Sequence, residues 1–303
     1  MEITQQSAAA RRARLGLILM FLTTACFSCI TTFSKLAYAG GSNPETLLLL
    51  RMALFGATIP LFGRLTGRPL QPNPRIIRPV LGIALFQIML SGGYLTAAAF
   101  IPVGLAAVLL YTSPFLVALV CVLMARDRMT PGKGITMALA FLGVVIAVGP
   151  DFSNLDLRGI AAALTAAMGM VLMITVGGMW MQRDDPLTIN VFASLALVVA
   201  ISVYLLWSGS FHLPATSIGR IGAACATLFY VLGNLCWILS MRLVPPIRMA
   251  VIFNLETPLT IASGFLILGE RLSLLQVAGA AIVVGAVTAL NLLGRRSDDT
   301  HNQ

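Results

Sequence analysis

Ten apolar stretches dominate this sequence, and each is close to the length that an α-helix needs to cross a lipid bilayer. About 20 apolar residues cover roughly 30 Å of hydrocarbon at about 1.5 Å per residue. We number the stretches spans 1 to 10 in chain order: residues 15–37, 45–63, 79–99, 103–124, 131–149, 158–180, 187–207, 218–240, 247–268 and 274–294. The pattern predicts an all-α polytopic membrane protein with ten transmembrane helices.

Composition excludes most soluble classes of protein. Hydrophobic residues make up 58% of the 303 residues and charged residues 10%, with a mean hydropathy of +0.92. A soluble domain of this composition would expose a very large apolar surface. The net charge of +9 comes from basic residues scattered in short loops without interleaved aromatic residues, which argues against a nucleic-acid partner. The expected surroundings are a lipid bilayer.

The distribution of basic residues predicts the orientation in the membrane. Of the 20 Lys and Arg residues, 15 would lie on one side, Arg158, Arg220 and Arg271 on the other, and Lys35 and Arg51 inside spans. Because basic loops stay in the cytoplasm, both termini are predicted to be cytoplasmic, with tails at residues 1–14 and 295–303. The N-terminal tail is followed directly by a full-length span, so no removable signal peptide is expected. Arg greatly outnumbers Lys, which hints at a GC-rich bacterial genome and hence an inner (cytoplasmic) membrane.

The first five spans recur in the second five at a shift of 143 residues. The matching pairs at this register are Tyr94 with Trp237, Pro102 with Pro245, Asp127 with Glu270, Arg128 with Arg271, and Thr130 with Ser273. A repeat with an odd number of spans enters the membrane in the opposite direction the second time. We therefore expect two inverted five-helix repeats, at residues 15–149 and 150–294.

Several of these residues resemble a known family, the EamA-type drug/metabolite transporters. The resemblance rests on the acidic-basic-x-hydroxyl turn before the last span of each half, on Pro114 and Pro258, and on Lys35 followed by Arg51. The segment 255–273 is similar to the family's Leu-Glu-Pro, apolar run and Gly-Glu-Arg. The resemblance implies two inverted five-helix halves and transport of small organic solutes, in many members amino acids or other metabolites, with export as the expected direction.

Two cations lie inside the predicted spans, where a charge is costly. Arg51 is about 9 Å and Lys35 about 6 Å from the predicted outer ends of spans 2 and 1. Since these spans are adjacent in sequence, the two side chains could form one patch that binds a substrate carboxylate or phosphate. The alternatives are a structural ion pair, or snorkelling of the charged head to the interface.

Glu256 is the carboxylate that falls inside a span, about 13 Å from the predicted cytoplasmic end of span 9. Pro258 removes a backbone hydrogen bond nearby, so we expect the helix to be opened locally beside the acid. Such a group could hold a proton or bind a substrate amine. The alternative is a protonated or internally hydrogen-bonded glutamate that stabilises the loosened turn.

Uncharged polar and aromatic residues at membrane depth complete the candidate site. Polar groups facing lipid would lack partners, so we expect them to point inward around a central cavity. The candidates for contact with the substrate are Gln87, Tyr94, Tyr111, Asn234 and Trp237. Tyr94 and Trp237, matched by the repeat, would stand on opposite walls. Helix-to-helix hydrogen bonding is the alternative role for each polar group.

These features favour a secondary transporter that opens a central site to each side in turn. A membrane enzyme is less consistent, because His212 and His301 fall in a loop and the C-terminal tail and no cluster of acidic and histidine residues occurs in the spans. A channel is also less consistent, because the sequence lacks the filter-like repeats that a selective pore would use. No cofactor or metal is predicted. The expected partners are a small-molecule substrate and lipid, with protons as a candidate coupling ion; a monomer and a homodimer both remain open.

Overall fold

The protein is described from a computed structural model, which covers residues 2–65, 70, 73–123, 131–148, 156–240, 243–244, 252–253, 255–271 and 273–299. These residues fold into helices, joined by short turns, that correspond to the ten predicted spans. Six spans are long and apolar enough to cross a membrane in full, and the described parts of spans 4, 5, 9 and 10 are shorter apolar helices. The chain is an all-α polytopic membrane protein.

Helices of the first half are bounded as follows. Span 1 is Glu2–Ala39, which begins well before the predicted start, and span 2 is Pro44–Leu65. A 3-10 turn, Pro74–Ile76, leads into span 3, which consists of Ile77–Gln87, a π-helical turn Ile88–Gly92 and Gly93–Phe100. Span 4 consists of two half-helices, Val103–Leu110 and Ser113–Leu123, and span 5 is Pro131–Val148.

Helices of the second half follow the same plan. Span 6 consists of Leu157–Leu172, a π-helical turn Met173–Gly177 and Gly178–Arg183. Spans 7 and 8 are Pro186–Ser208 and Ser217–Ser240. Span 9 includes Glu256–Ser263 and a π-helical turn Gly264–Leu268, and span 10 is Leu274–Asp299. Spans 3 and 6 are thus both interrupted by a π-helical turn.

Matching caps begin the second span of each half. The Asn43 side chain accepts a hydrogen bond from the Thr46 backbone N–H at 3.0 Å, and Asp185 accepts one from Thr188 at 2.8 Å. In both places proline follows the cap at the first helical position, where its missing N–H costs nothing. The repeated Asn-Pro and Asp-Pro pairs are therefore helix starts.

The span contacts have the symmetry of an inverted repeat. Span 1 packs on span 8, and its equivalent, span 6, packs on span 3, the equivalent of span 8. Spans 2 and 7, 4 and 9, and 5 and 10 pack on each other, so each of these contacts pairs equivalent spans. A twofold axis relating the halves produces this pattern, because it exchanges the first two contacts and leaves the other three unchanged.

Loop contacts show the inversion directly. The Ala215 backbone N–H, in the loop after span 7, donates to the Gly40 carbonyl, in the turn after span 1, at 2.8 Å. The Asn43 side chain also donates to the Ser210 carbonyl at 2.6 Å. Span 1 and span 7 therefore end at the same face of the bundle. Since span 6 runs opposite to span 7, the first span of one half is antiparallel to the first span of the other.

Glycines allow the closest approaches between the two halves. A Cβ at Gly222 in span 8 would lie 2.6 Å from the Phe33 carbonyl oxygen in span 1, and one at Gly93 in span 3 would lie 2.7 Å from the Ala162 carbonyl oxygen in span 6. Small residues at such contacts let helix backbones touch. The equivalent contacts 1–8 and 3–6 are thus both tight.

Span 4 differs from the continuous helix predicted for it, and span 9 is interrupted beside Glu256, where a local opening was expected. Span 4 breaks at Tyr111 and Thr112, and span 9 has a turn at Leu255 before its helix resumes at Glu256. The repeat shift places these two breaks at equivalent positions. In each case a proline, Pro114 or Pro258, lies in the first turn of the resumed helix. Because proline has no backbone N–H, it cannot donate the hydrogen bond that would join this turn to the preceding helix. Hydropathy alone does not predict such breaks, because the sequence remains apolar across them.

Some residues of the repeat lie outside the described part of the chain. These are Asp127, Arg128, Thr130 and Pro245.

Candidate functional site

Arg51 is a buried cation with no hydrogen-bond partner. It lies in the middle of span 2 with 4% of its surface exposed, and its Nε and Nη1 atoms are buried without an acceptor. Its Cζ atom lies 4.2 Å from the centroid of the Tyr230 ring in span 8. A cation over an aromatic face is stabilised by the ring quadrupole, but that contact leaves the N–H donors unused. The guanidinium is therefore held against the ring while these two donors stay unused.

Tyrosine side chains surround this guanidinium. Tyr38, Tyr94 and Tyr230 are within electrostatic reach of it. The Tyr38 hydroxyl donates to the Leu95 carbonyl at 3.1 Å, and the Tyr230 ring packs edge-on against Phe55 at 5.5 Å between centroids. The surroundings of Arg51 thus contain aromatic faces and hydroxyls, and no carboxylate is paired with it among the described residues.

Glu256 is the acidic counterpart in the other half. Its side chain is buried, with 6% of the residue exposed, and begins the resumed helix of span 9. The Tyr111 hydroxyl lies 3.4 Å from its Oε2 atom and donates to the Phe253 carbonyl at 2.6 Å. Tyr111 therefore connects the break in span 4 to the break in span 9, and it satisfies a carbonyl that the interrupted helix exposes.

Tyr94 is close enough to both charged groups to interact with them. It interacts electrostatically with both Arg51 and Glu256, and its hydroxyl faces Thr31 and Thr260. The residue is only half-buried although it belongs to the middle of the bundle. Arg51, Tyr94, Tyr111 and Glu256 form what we call the central polar cluster, which joins spans 2, 3, 4 and 9 across both halves.

Lys35 has its own partners. Its Nζ atom lies 2.5 Å from Glu270 Oε1 and donates to the Ile101 carbonyl at 3.1 Å. The other carboxylate oxygen, Oε2, accepts from the Val103 backbone N–H at 3.0 Å, at the start of span 4. Gly269, with φ of 69°, ends span 9 in the left-handed conformation and turns the chain so that Glu270 can reach these groups. The contacts of Lys35 and those of Arg51 involve different residues.

A groove of about 600 Å³ opens beside this ion pair, between spans 4, 9 and 10. Its lining runs along span 9 from Glu270 to Pro258, two residues after Glu256. Apolar side chains, including Ile261, Phe265 and Val277, form most of its wall. The groove therefore extends from the predicted outer face toward the level of the central polar cluster.

The remaining predicted residues have varied surroundings. Gln87 is buried, and its Oε1 atom has no partner. Asn234 donates to the Tyr230 carbonyl one turn earlier in its own helix, at 2.8 Å. Trp237 packs edge-on against Phe253 at 5.2 Å and belongs to an apolar cluster with Met20, whereas Tyr94 contacts polar groups.

Reasoning from sequence missed two features of this region. Glu270 was recognised as part of the repeated turn, but its pairing with Lys35 was not, because the two residues are 235 positions apart. Thr31, Thr257 and Thr260, whose hydroxyls lack partners, carry no sequence signal that separates them from other threonines in the spans.

Comparison with known proteins identifies the family. The sequence model of the EamA-like transporter family matches twice, at residues 14–149 and 157–292. The chain belongs to the EamA-like transporter family. It is therefore a multi-pass membrane transporter whose substrate is a small molecule.

Individual relatives are also transporters. The chain is 26% identical over 254 residues to an uncharacterized transporter of Archaeoglobus fulgidus, covering 80% of this chain and 86% of the relative. It is 27% identical over 198 residues to the threonine/homoserine exporter RhtA of Salmonella typhimurium and 26% identical to RhtA of Escherichia coli K12. In both exporters the match covers 65% of each chain, slightly less than two thirds.

The fold has a counterpart among solved structures. One crystal structure superposes with a TM-score of 0.64 and 18% sequence identity, covering 93% of this chain and 98% of the other. At this identity the likeness establishes the fold alone.

Proposed function

We propose that this protein is a secondary transporter that exports a small zwitterionic solute, an amino acid or a close relative, from the cytoplasm by alternating access. The observation that carries the proposal is the pair of buried ionisable groups without ion-pair partners among the described residues: Arg51 in the first half and Glu256 in the second. An unpaired buried charge is costly. A bound zwitterion relieves that cost at both ends.

The two groups fit the two ends of an amino acid. A guanidinium binds a carboxylate through two parallel N–H···O bonds, and the free Nε and Nη1 donors of Arg51 are suited to this. A carboxylate at Glu256 binds the substrate ammonium, and Tyr94, which is close to both groups, lies beside the substrate backbone. RhtA, an exporter of threonine and homoserine by name, supports a substrate of this class.

Glu256 also offers a physical basis for proton coupling. When the substrate ammonium leaves, the buried carboxylate loses its counter-charge and takes up a proton instead. Substrate and proton then occupy the same group alternately, which is the requirement for antiport. Protons moving into the cytoplasm would drive the substrate outward.

Alternating access would use the ion pair at the predicted outer end. Lys35 and Ile101 belong to the first half and Glu270 to the second, so the pair holds the halves together there. Opening the groove beside span 9 to the outside requires these contacts to separate. The rocking of one half against the other is a common mechanism for inverted repeats.

Counterflow in liposomes tests the proposal. Purified protein should exchange an external labelled amino acid for the same unlabelled amino acid inside, and Arg51→Gln should abolish exchange. Glu256→Gln should remove the response to a pH gradient. Arg183→Gln, which changes an exposed arginine at the end of span 6, is the matched control and should exchange normally.

The outcome separates the alternatives. Exchange and pH response that are unchanged in Arg51→Gln and Glu256→Gln would contradict the assigned roles. Steady conductance without counterflow would indicate a channel, and chemical conversion of the solute a membrane enzyme. The transporter relatives make the enzyme the weaker of these alternatives.

A further inference from the structure

Three threonine hydroxyls in the middle of the bundle lie near the hydroxyls of Tyr94 and Tyr111 but form no hydrogen bond of good geometry. Thr31, Thr257 and Thr260 are each 0% exposed, and their Oγ1 atoms are buried and unpaired. Eight other threonines in the described chain satisfy their hydroxyls by donating to the carbonyl one turn earlier. This bond is open to most helical threonines, so the three exceptions need another explanation.

The packing of spans 1 and 9 places these hydroxyls beside two tyrosines of the central polar cluster. The hydroxyls of Thr32 and Ser263 are hydrogen-bonded at 2.7 Å, which fixes the register between the two helices. Thr31 is next to Thr32 in sequence, and Thr260 lies one turn before Ser263. The Tyr94 hydroxyl faces both Thr31 and Thr260, while Tyr111 faces Thr257. We call Thr31, Thr257 and Thr260 the threonine triad.

The triad is connected to both charged groups of the central polar cluster. Thr257 directly follows Glu256 in the chain, and Tyr94, which faces Thr31 and Thr260, interacts with Arg51 as well as Glu256. A zwitterion held between Arg51 and Glu256 would therefore direct its side chain toward hydroxyl groups. An apolar side chain would leave all three hydroxyls unsatisfied in a buried place, which costs free energy.

We propose that the threonine triad is a subsite for the side-chain hydroxyl of the substrate, so that the transporter selects hydroxylated amino acids over their apolar isosteres. This inference depends on the proposed function. A substrate hydroxyl both donates and accepts, and each threonine hydroxyl can do the same, so one ligand group can satisfy several of them. Sites built to bind a hydroxyl reject the analogue without it far more strongly than apolar pockets reject an added group.

Threonine and valine have nearly the same shape and differ in the hydroxyl group. The hydroxyl can therefore be removed either from the substrate or from the protein with little change in size. Counterflow is measured with labelled L-threonine and L-valine, on the wild-type protein and on Thr31→Val, Thr257→Val and Thr260→Val. The wild type should favour threonine over valine by tenfold or more in kcat/KM. The valine variants should lower this ratio severalfold, chiefly by slowing threonine, and the corresponding serine variants should restore it.

Thr227→Val is the matched control. Thr227 is a buried threonine in span 8 that bonds the Ala223 carbonyl at 2.8 Å, so its substitution should leave the threonine-to-valine ratio unchanged. If a valine variant fails to fold, the proposal is still tested by the threonine-to-valine ratio of the wild type and of the serine variant. A wild-type protein that exchanges both amino acids equally well overturns the triad subsite. A protein that exchanges no amino acid at all overturns the proposed function instead.

Discussion

At the residue scale, the site is defined by polar groups whose bonding capacity the protein leaves unused. Arg51 has an aromatic face beneath it and free donors, and the triad hydroxyls have no acceptors. By contrast, Lys35 pairs with Glu270 and donates to the Ile101 carbonyl. Two cations that look alike in the sequence therefore have different surroundings. We propose a gating role for Lys35 and a substrate-binding role for Arg51 on this ground.

The aromatic face of Tyr230 should matter more for Arg51 than its hydroxyl. Tyr230→Leu removes the cation–π contact, worth about 1 to 2 kcal/mol when desolvated, and should raise the KM for the amino acid by about tenfold. Tyr230→Phe keeps the ring and should stay within about twofold of wild type. Counterflow at varied substrate concentration measures both. Tyr204→Leu, at an exposed tyrosine of span 7, is the control; equal effects of Leu and Phe at position 230 would refute the contact.

At the scale of helices, the sequence predicts the existence of every span but not its interruptions. Hydropathy gives the length of an apolar stretch but does not show where the helix within it is interrupted. Both Pro114 and Pro258 lie in apolar runs, and only the charge of Glu256 next to Pro258 predicts a local break. The π-helical turns at Ile88–Gly92 and Met173–Gly177 have no comparable signal. Arg51 and Glu256 could be selected from sequence because an isolated charge in a span is rare. The threonine triad could not be selected from sequence, because threonines are common in the spans and only the structure shows which hydroxyls lack a hydrogen bond.

The Lys35–Glu270 pair should stabilise closure of the predicted outer face. Glu270→Gln keeps an acceptor for the Val103 N–H but removes the charge, leaving Lys35 partly buried and unpaired. We expect a severalfold increase in labelling of a cysteine placed at Ile101, which is 2% exposed, by a membrane-impermeant maleimide in a protein without its native cysteines. Lys35→Met should act similarly, and the double variant should be no worse than either single one.

The control for this experiment is an exposed arginine on the same predicted outer face. The Arg220 side chain, at the start of span 8, donates to the Ser217 hydroxyl at 3.4 Å, and such exposed contacts contribute little. Arg220→Gln should leave labelling at position 101 unchanged. Labelling that is equally slow in wild type, Glu270→Gln and Lys35→Met would mean that this ion pair does not close the outer face.

At the scale of the whole molecule, the inverted repeat explains why residues from both halves meet in one site. The twofold relation makes spans 4 and 9 equivalent, and both are broken at the same level. Their chemistry then diverges: the break in span 9 carries Glu256, whereas the break in span 4 carries Tyr111. The zwitterionic substrate that we propose, with a positive and a negative end, would require this kind of divergence within a symmetric scaffold.

The orientation of the bundle follows from the unequal distribution of basic residues, and it can be tested with reporter fusions. Gly41 and Gly209 lie in turns with positive φ at the face where the loops after spans 1 and 7 touch. Alkaline phosphatase inserted at either turn should be active, because both turns are predicted to be outside. Green fluorescent protein fused after Gln303 should fluoresce, because the C-terminus is predicted to be cytoplasmic. Since the turns share one face, opposite results at Gly41 and Gly209 would contradict the fold itself, while reversal of all three would contradict only the orientation and hence the direction of proton-driven export.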